Sequence, residues 1–141
     1  RIVLRDTRAD QEKEKIFHYE GGIREFVTYL NRSKEALYPE VIYCEGEKDG
    51  VLVEVALQHN DGYNENVYSF VNNITTPEGG THLVGMRSAL TKTFNDYARK
   101  NNLLKEKEDN LSGEDLREGM SAIVSVKIVL SFCGRAWYNK M

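Results

Sequence analysis

Lys48-Asp49-Gly50 separates two runs of alternating apolar and polar residues, Val41 to Glu47 and Val51 to Gln58. Asp-Gly between such runs demands a tight hairpin, because the primed two-residue turn needs positive φ at both central positions. Val51, Val53, Val55 and Leu57 then share one face of the second strand. The feature commits the chain to an antiparallel sheet with at least one buried face, and the remaining elements have to cover it.

The flanking segments read outward from that hairpin. Ile2 and Leu4 alternate with polar neighbours, and the alternation resumes over Lys15 to Tyr19. These two runs predict a second hairpin around the charged stretch Asp6 to Lys15. Gly21 and Gly22 break the strand, and Ile23, Phe26, Val27 and Leu30 follow at helical spacing. Val67 to Asn72 reads as a third strand after the hairpin. Thr81 is placed to cap a long helix over Leu83 to Asn101. At 100° per residue Leu83, Met86, Leu90, Phe94 and Tyr97 fall in one arc as its core face, with Arg87 at the edge and Lys92 and Arg99 elsewhere. Ser112-Gly113-Glu114-Asp115 resembles a capping box and predicts one short helix ended by Gly119. Ala122, Val124, Val126 and Ile128 alternate as the last strand. The order predicts an α/β sandwich, a mostly antiparallel sheet with helices on one face.

A length of 141 residues suits one domain with its own core. No apolar run approaches the ~20 residues of a membrane span, and the charged opening does not read as a signal peptide. Arg1 in place of methionine reads as the start of a piece of a longer polypeptide. Cys44 and Cys133 stand far apart, outside any CxxC pattern. Cys44 lies within an apolar alternation and is expected to be a buried free thiol, which fits a reducing cytoplasm. The net charge of −3 gives no overall basic surplus, so any nucleic-acid contact has to come from a local basic face.

Candidate chemistry is sparse. His18, His59 and His82 lack zinc-ligand spacing and read as turn or strand histidines. Asp109, Glu114, Asp115 and Glu118 could offer oxygen ligands to magnesium, but a charge run is usually a solvated face, and Arg117 among them favours ion pairing. Gly79-Gly80-Thr81 could cradle a phosphate. It lacks the lysine of a P-loop, and a tight turn with a cap explains it better.

Four strings carry more. FHYEGGIREFVTYLN (17 to 31), VEVALQHNDG (53 to 62), SFVNNITTPEGGTH (69 to 82) and GEDLREGMSAIVSVK (113 to 127) occur in order. Together they resemble the transducer domain of the ATPase component of type IIA DNA topoisomerases, the gyrase B family, over residues 1 to 128. The topoisomerase IV counterpart shares the pattern less well. The resemblance implies a ribosomal S-five domain-2-like fold with a left-handed βαβ crossover, an exception to the right-handed rule. It implies ATP and Mg²⁺ bound mainly in a preceding domain, and a second copy of gyrase B in an ATP-closed clamp. Gyrase A and double-stranded DNA are the further partners, in a cytoplasmic enzyme. In the family a lysine of a QTK loop after the last strand touches ATP. Here Val129 to Met141 reads VLSFCGRAWYNKM, which departs from that pattern, so no catalytic or cofactor-binding residue is carried over. The tail is expected to be poorly integrated: Val129 to Phe132 can extend the last strand, but Trp137 and Tyr138 have no periodic company. Arg87, after the GGTH string, matches a basic position that faces DNA in the family, and Lys92 is the second candidate. The alternative for Arg87 is to lay its stem over the core edge and pair with a carboxylate. A stand-alone interaction domain from a truncated gene is the reading that dispenses with the topoisomerase.

Overall fold

The computed structural model describes residues 2–8 and 13–128. A two-stranded antiparallel hairpin, β1 (Ile2–Asp6) with β2 (Lys13–Phe17), precedes the main body. The short helix α1 (Gly22–Leu30) follows, then strands β3 (Ile42–Lys48), β4 (Val51–His59), β5 (Asn66–Val71) and β6 (Ile74–Thr75). The long helix α2 (Thr81–Lys100) leads through a loop and a single 3-10 turn, Asp115–Arg117, into β7 (Met120–Ile128). The five strands of the main sheet lie in the order β3-β4-β7-β5-β6. All neighbours are antiparallel except β5 and β7, which run parallel. A parallel pair needs a crossover, and α2 supplies it, giving the βαβ unit that the resemblance implied.

Local chemistry sets these elements. Asp49 and Gly50 both have positive φ, 53° and 75°, so the β3-β4 turn is the primed type the dipeptide demands. Glu25 reaches back from the first turn of α1 to the Gly21 amide, 3.0 Å. The Ser112 hydroxyl accepts from the Asp115 amide at 3.1 Å, while the Asp115 carboxylate accepts from the Ser112 amide at 3.0 Å. This reciprocal pair is the predicted box, and it holds the Asp115 carboxyl below its ordinary pKa through the Ser112 hydroxyl and amide. Thr81 is not a cap. It is the first helical residue, and Gly80, at φ 154°, takes the cap position with no side-chain bond.

Mixed α/β architecture and the predominantly antiparallel sheet agree with the sequence; the placement of the helices does not. They lie on opposite faces. Leu83, Met86 and Leu90 of α2 pack on Val55, Leu57, Val124 and their neighbours. Ile23, Val27 and Leu30 of α1 pack on Ala56 and Ile123 from the other side. The cause is in β7, which is buried over seven consecutive positions from Met120 to Val126. A central strand buried on both faces needs cover on both.

Two burial expectations are also corrected. Cys44 is exposed. It sits opposite Val55 on the edge strand β3, and with Ile42 it lines an open apolar groove of about 530 Å³ beside α2. Edge position outweighs an apolar alternation, since α2 covers β4 and β7 and stops short of β3. Tyr97 is 63% exposed, whereas Asn95 and Ala98 are buried. The last turns of α2 pack against the loop after the helix: Asn95 donates to the Leu111 carbonyl at 3.0 Å and accepts from its amide at 2.8 Å. The expectations for the tail at Val129 to Met141 lie outside the described residues.

A buried polar network closes the sheet at the far end of β4. Asn31 donates to Gln58 at 2.9 Å, and Asn60 donates to Asn31 at 3.2 Å and to the Ser121 hydroxyl at 3.3 Å. Satisfied in this way, these groups tie the end of α1 to β4 and β7.

Candidate nucleic-acid interface

Arg87 lies in the second turn of α2, on the edge of the face that meets the sheet. Glu65, the residue before β5, receives it: Nε donates to Oε1 at 2.9 Å and Nη2 lies 2.8 Å from the same oxygen. The side chains are 36% and 25% exposed, so the pair is a half-buried one at the junction of helix and sheet. The carboxylate pairing weighed for Arg87 from sequence is therefore present. A second guanidinium joins it. Arg117 Nε lies 3.4 Å from Glu65 Oε2, so Arg117 leaves its acidic sequence neighbours and pairs across the fold. Gly113 makes room for it, since a Cβ there would stand 2.6 Å from Arg117 Nη1.

Between α2 and the 3-10 turn is an open cleft of about 540 Å³, lined by Arg87, Lys92, Asp96 and Arg117 among others. Lys92 is exposed on its rim. Three cations thus meet two carboxylates, Asp96 on the wall and Glu65 behind the arginines, leaving a local positive surplus on a chain of net charge −3. Such a surface can attract a phosphate backbone without reading bases. Arg99, by contrast, serves structure: its guanidinium donates to the Lys105 and Glu108 carbonyls at 2.6 Å each.

The other candidates are dispersed. His18 lies 3.7 Å from Glu20 on the surface. His59 is held between the Tyr38 hydroxyl and the Leu116 carbonyl, 2.9 Å to each. His82 meets the Thr76 hydroxyl at 3.2 Å. Asp115 is engaged by Ser112, as above. The Gly79-Gly80 stretch closes on itself, with the Gly79 amide on the Thr76 carbonyl at 2.9 Å and the Gly80 carbonyl accepting from Leu83 at 3.1 Å. A turn and helix start account for it. Sequence reasoning missed Glu65, and it expected Arg117 to pair with its acidic sequence neighbours, where the structure pairs it with Glu65. Neither belongs to a local pattern, and only the approach of β5 to α2 brings them together.

The family model for DNA gyrase B matches residues 22–131. The chain belongs to the DNA gyrase B family. Within it, the DNA gyrase B protein of Clostridium acetobutylicum is 60% identical over 129 residues, 91% of this chain and 20% of that protein. Its counterpart in Bacillus mycoides is 55% identical over 127 residues, 90% of this chain and 31% of that one. The B component of DNA topoisomerase 4 from Enterococcus faecalis is 56% identical over 128 residues, 91% of this chain and 18% of that protein. The chain thus spans between about a fifth and a third of these gyrase B family members. The expectation that the topoisomerase IV relative fits less well is not upheld, because 56% falls between the two gyrase values. Among solved structures, the 43K ATPase domain of Thermus thermophilus gyrase B, in complex with an aminocoumarin, aligns with a TM-score of 0.76 at 39% identity. That alignment covers 83% of this chain and 32% of the other. Gyrase B of Myxococcus xanthus shares the fold at a TM-score of 0.69 and 22% identity.

Proposed function

We propose that this chain is the transducer domain of an ATP-dependent type IIA topoisomerase, within the B protein of DNA gyrase, and that it relays ATP-driven clamp closure to DNA strand passage and supercoiling. The observation that carries the reading is the family match over residues 22–131, which takes in both helices and the whole main sheet. The geometry supports it. α2 is anchored on β4 and β7 through Leu83, Met86 and Leu90, and the same helix carries Arg87 and Lys92 at the cleft. A displacement of the sheet relative to its surroundings therefore moves these cations as one body. Double-stranded DNA, gyrase A and a second copy of gyrase B are the partners of the parent enzyme in this reading. ATP and Mg²⁺ are bound mainly outside this segment, and the enzyme is cytoplasmic. Among the described residues no helix is long and apolar enough to cross a membrane. The B protein of topoisomerase IV is the second reading, favoured by the 56% identity of the Enterococcus faecalis relative.

A transducer couples and does not itself turn over nucleotide. The purified 141-residue chain is expected to hydrolyse ATP no faster than a no-protein control. Turnover that persists at constant specific activity through repurification would contradict the assignment of this segment to coupling.

A further inference from the structure

Asn72 and Asn73 form the turn between β5 and β6, both with positive φ, 49° and 65°. Asparagine enters that conformation more readily than most L residues, so the turn alone would account for either. Asn72 does more. Its side-chain amide is turned onto the last residue of β7: Oδ1 accepts from the Ile128 amide at 2.9 Å, and Nδ2 donates to the Ile128 carbonyl at 3.1 Å. Its backbone amide donates to the Val126 carbonyl at 2.8 Å. The parallel pairing of β5 with β7 ends at Val71 and Val126, because the backbone turns away into β6. The planar carboxamide, with an acceptor and two donors, stands in for the next peptide group. Ile128 is thus held on both edges, by Asn72 on one and by its pairing with Val51 on the other. The same hairpin is tied to α2. The Ser69 hydroxyl lies 2.7 Å from the Thr76 hydroxyl, which lies 3.2 Å from His82 Nε2 in the first turn of the helix. Polar contacts therefore run from the start of the helix that carries Arg87, through the β5-β6 hairpin, to the end of β7.

We infer that Asn72 is a positioning residue for coupling: it clamps the end of β7 to the β5-β6 hairpin, so that α2 and the segment following position 128 are displaced together. The inference rests on the transducer reading. Asn72 acts only through Ile128. Without the clamp, the end of β7 keeps its pairing to β4 but is released from the hairpin that is tied to α2. Asparagine is the residue that meets both demands. Glycine accepts the turn and lacks the amide, and aspartate accepts the turn and lacks the donor.

The test uses full-length Clostridium acetobutylicum gyrase B in which residues 1–128 of this chain replace the matching segment, assembled with that organism's gyrase A. Asn72→Gly keeps the turn and removes the clamp. DNA-free ATP hydrolysis should stay within about twofold of the parent chimera, while supercoiling per ATP hydrolysed should fall roughly fivefold or more, the lower end of coupling between sites. Asn72→Asp sets a second oxygen against the Ile128 carbonyl and should fall at least as far. Asn73→Gly alters an exposed side chain of the same turn and should keep the parent ratio. Hydrogen exchange at the Ile128 amide should quicken in Asn72→Gly and not in Asn73→Gly. A parent-level ratio in Asn72→Gly would overturn the inference, whether or not exchange quickens. So would an equal loss in Asn73→Gly, which would assign the effect to the turn. Loss of both rates in step would mark Asn72 as merely structural and overturn it as well. If the parent chimera itself hydrolyses ATP but passes no DNA, the transducer reading fails and takes the inference with it.

Discussion

Replacing Gly119 by alanine is expected to destabilise the domain by about 3 kcal/mol or more. Gly119 has φ 66°, a conformation that costs an L residue roughly 1 kcal/mol. The larger contribution is steric. A Cβ at this position would stand 2.4 Å from the Asn60 carbonyl oxygen and 2.5 Å from that of Gly62, both backbone atoms with no rotamer to yield. The Asn60 amide also donates to the Gly119 carbonyl at 2.9 Å. Making room therefore separates the end of β4 from the start of β7 and opens the buried network of Asn31, Gln58 and Ser121. Denaturant unfolding of the purified chain would measure the effect. A loss below about 1 kcal/mol, the scale of an ordinary surface change, would mean that the turn shifts as a unit and that the close approach is not what selects glycine.

Arg87→Gln is expected to produce the largest functional change. In full-length gyrase B with its partner, the ratio of DNA-stimulated to DNA-free ATP hydrolysis should fall roughly fivefold at moderate salt, as one charge-assisted phosphate contact is lost. The competing effect is loss of the ion pair with Glu65. With the side chains 36% and 25% exposed, that pair contributes on the order of 1 kcal/mol or less, so the fold should survive the change. A structural role would lower both rates together in step with the loss of soluble protein. An unchanged ratio at low and moderate salt would remove Arg87 from DNA sensing.

The local features are legible in the sequence because each rests on a short-range rule. Asp49-Gly50 names its turn, the 3.6-residue period names α1 and α2, and Ser112 with Asp115 names the 3-10 turn. What eludes the sequence depends on which elements meet. Periodicity gives each helix an apolar face but not the side of the sheet it covers, so α1 and α2 read as lying on the same side. Cys44 reads as buried until β3 turns out to be an edge strand. Tyr97 falls on the calculated core arc of α2, yet the loop from Asn102 to Leu111 draws Asn95 and Ala98 inward instead. Of the candidate site, Arg87 is visible from its place after the GGTH string and Lys92 from the helical period of α2. Glu65 and Arg117 become visible only when β5 and the 3-10 turn are seen to converge on α2.

Coupling of ATP-driven closure to strand passage by residues 1–128 is tested most directly by placing them in an intact enzyme. The matching segment of Clostridium acetobutylicum gyrase B, whose identity to this chain is 60%, would be replaced by these residues and the chimera assembled with that organism's gyrase A. ATP-dependent supercoiling of a relaxed plasmid should be retained within about tenfold of the parent, a barrier difference of about 1.4 kcal/mol. A chimera that assembles and hydrolyses ATP but passes no DNA would contradict the coupling role.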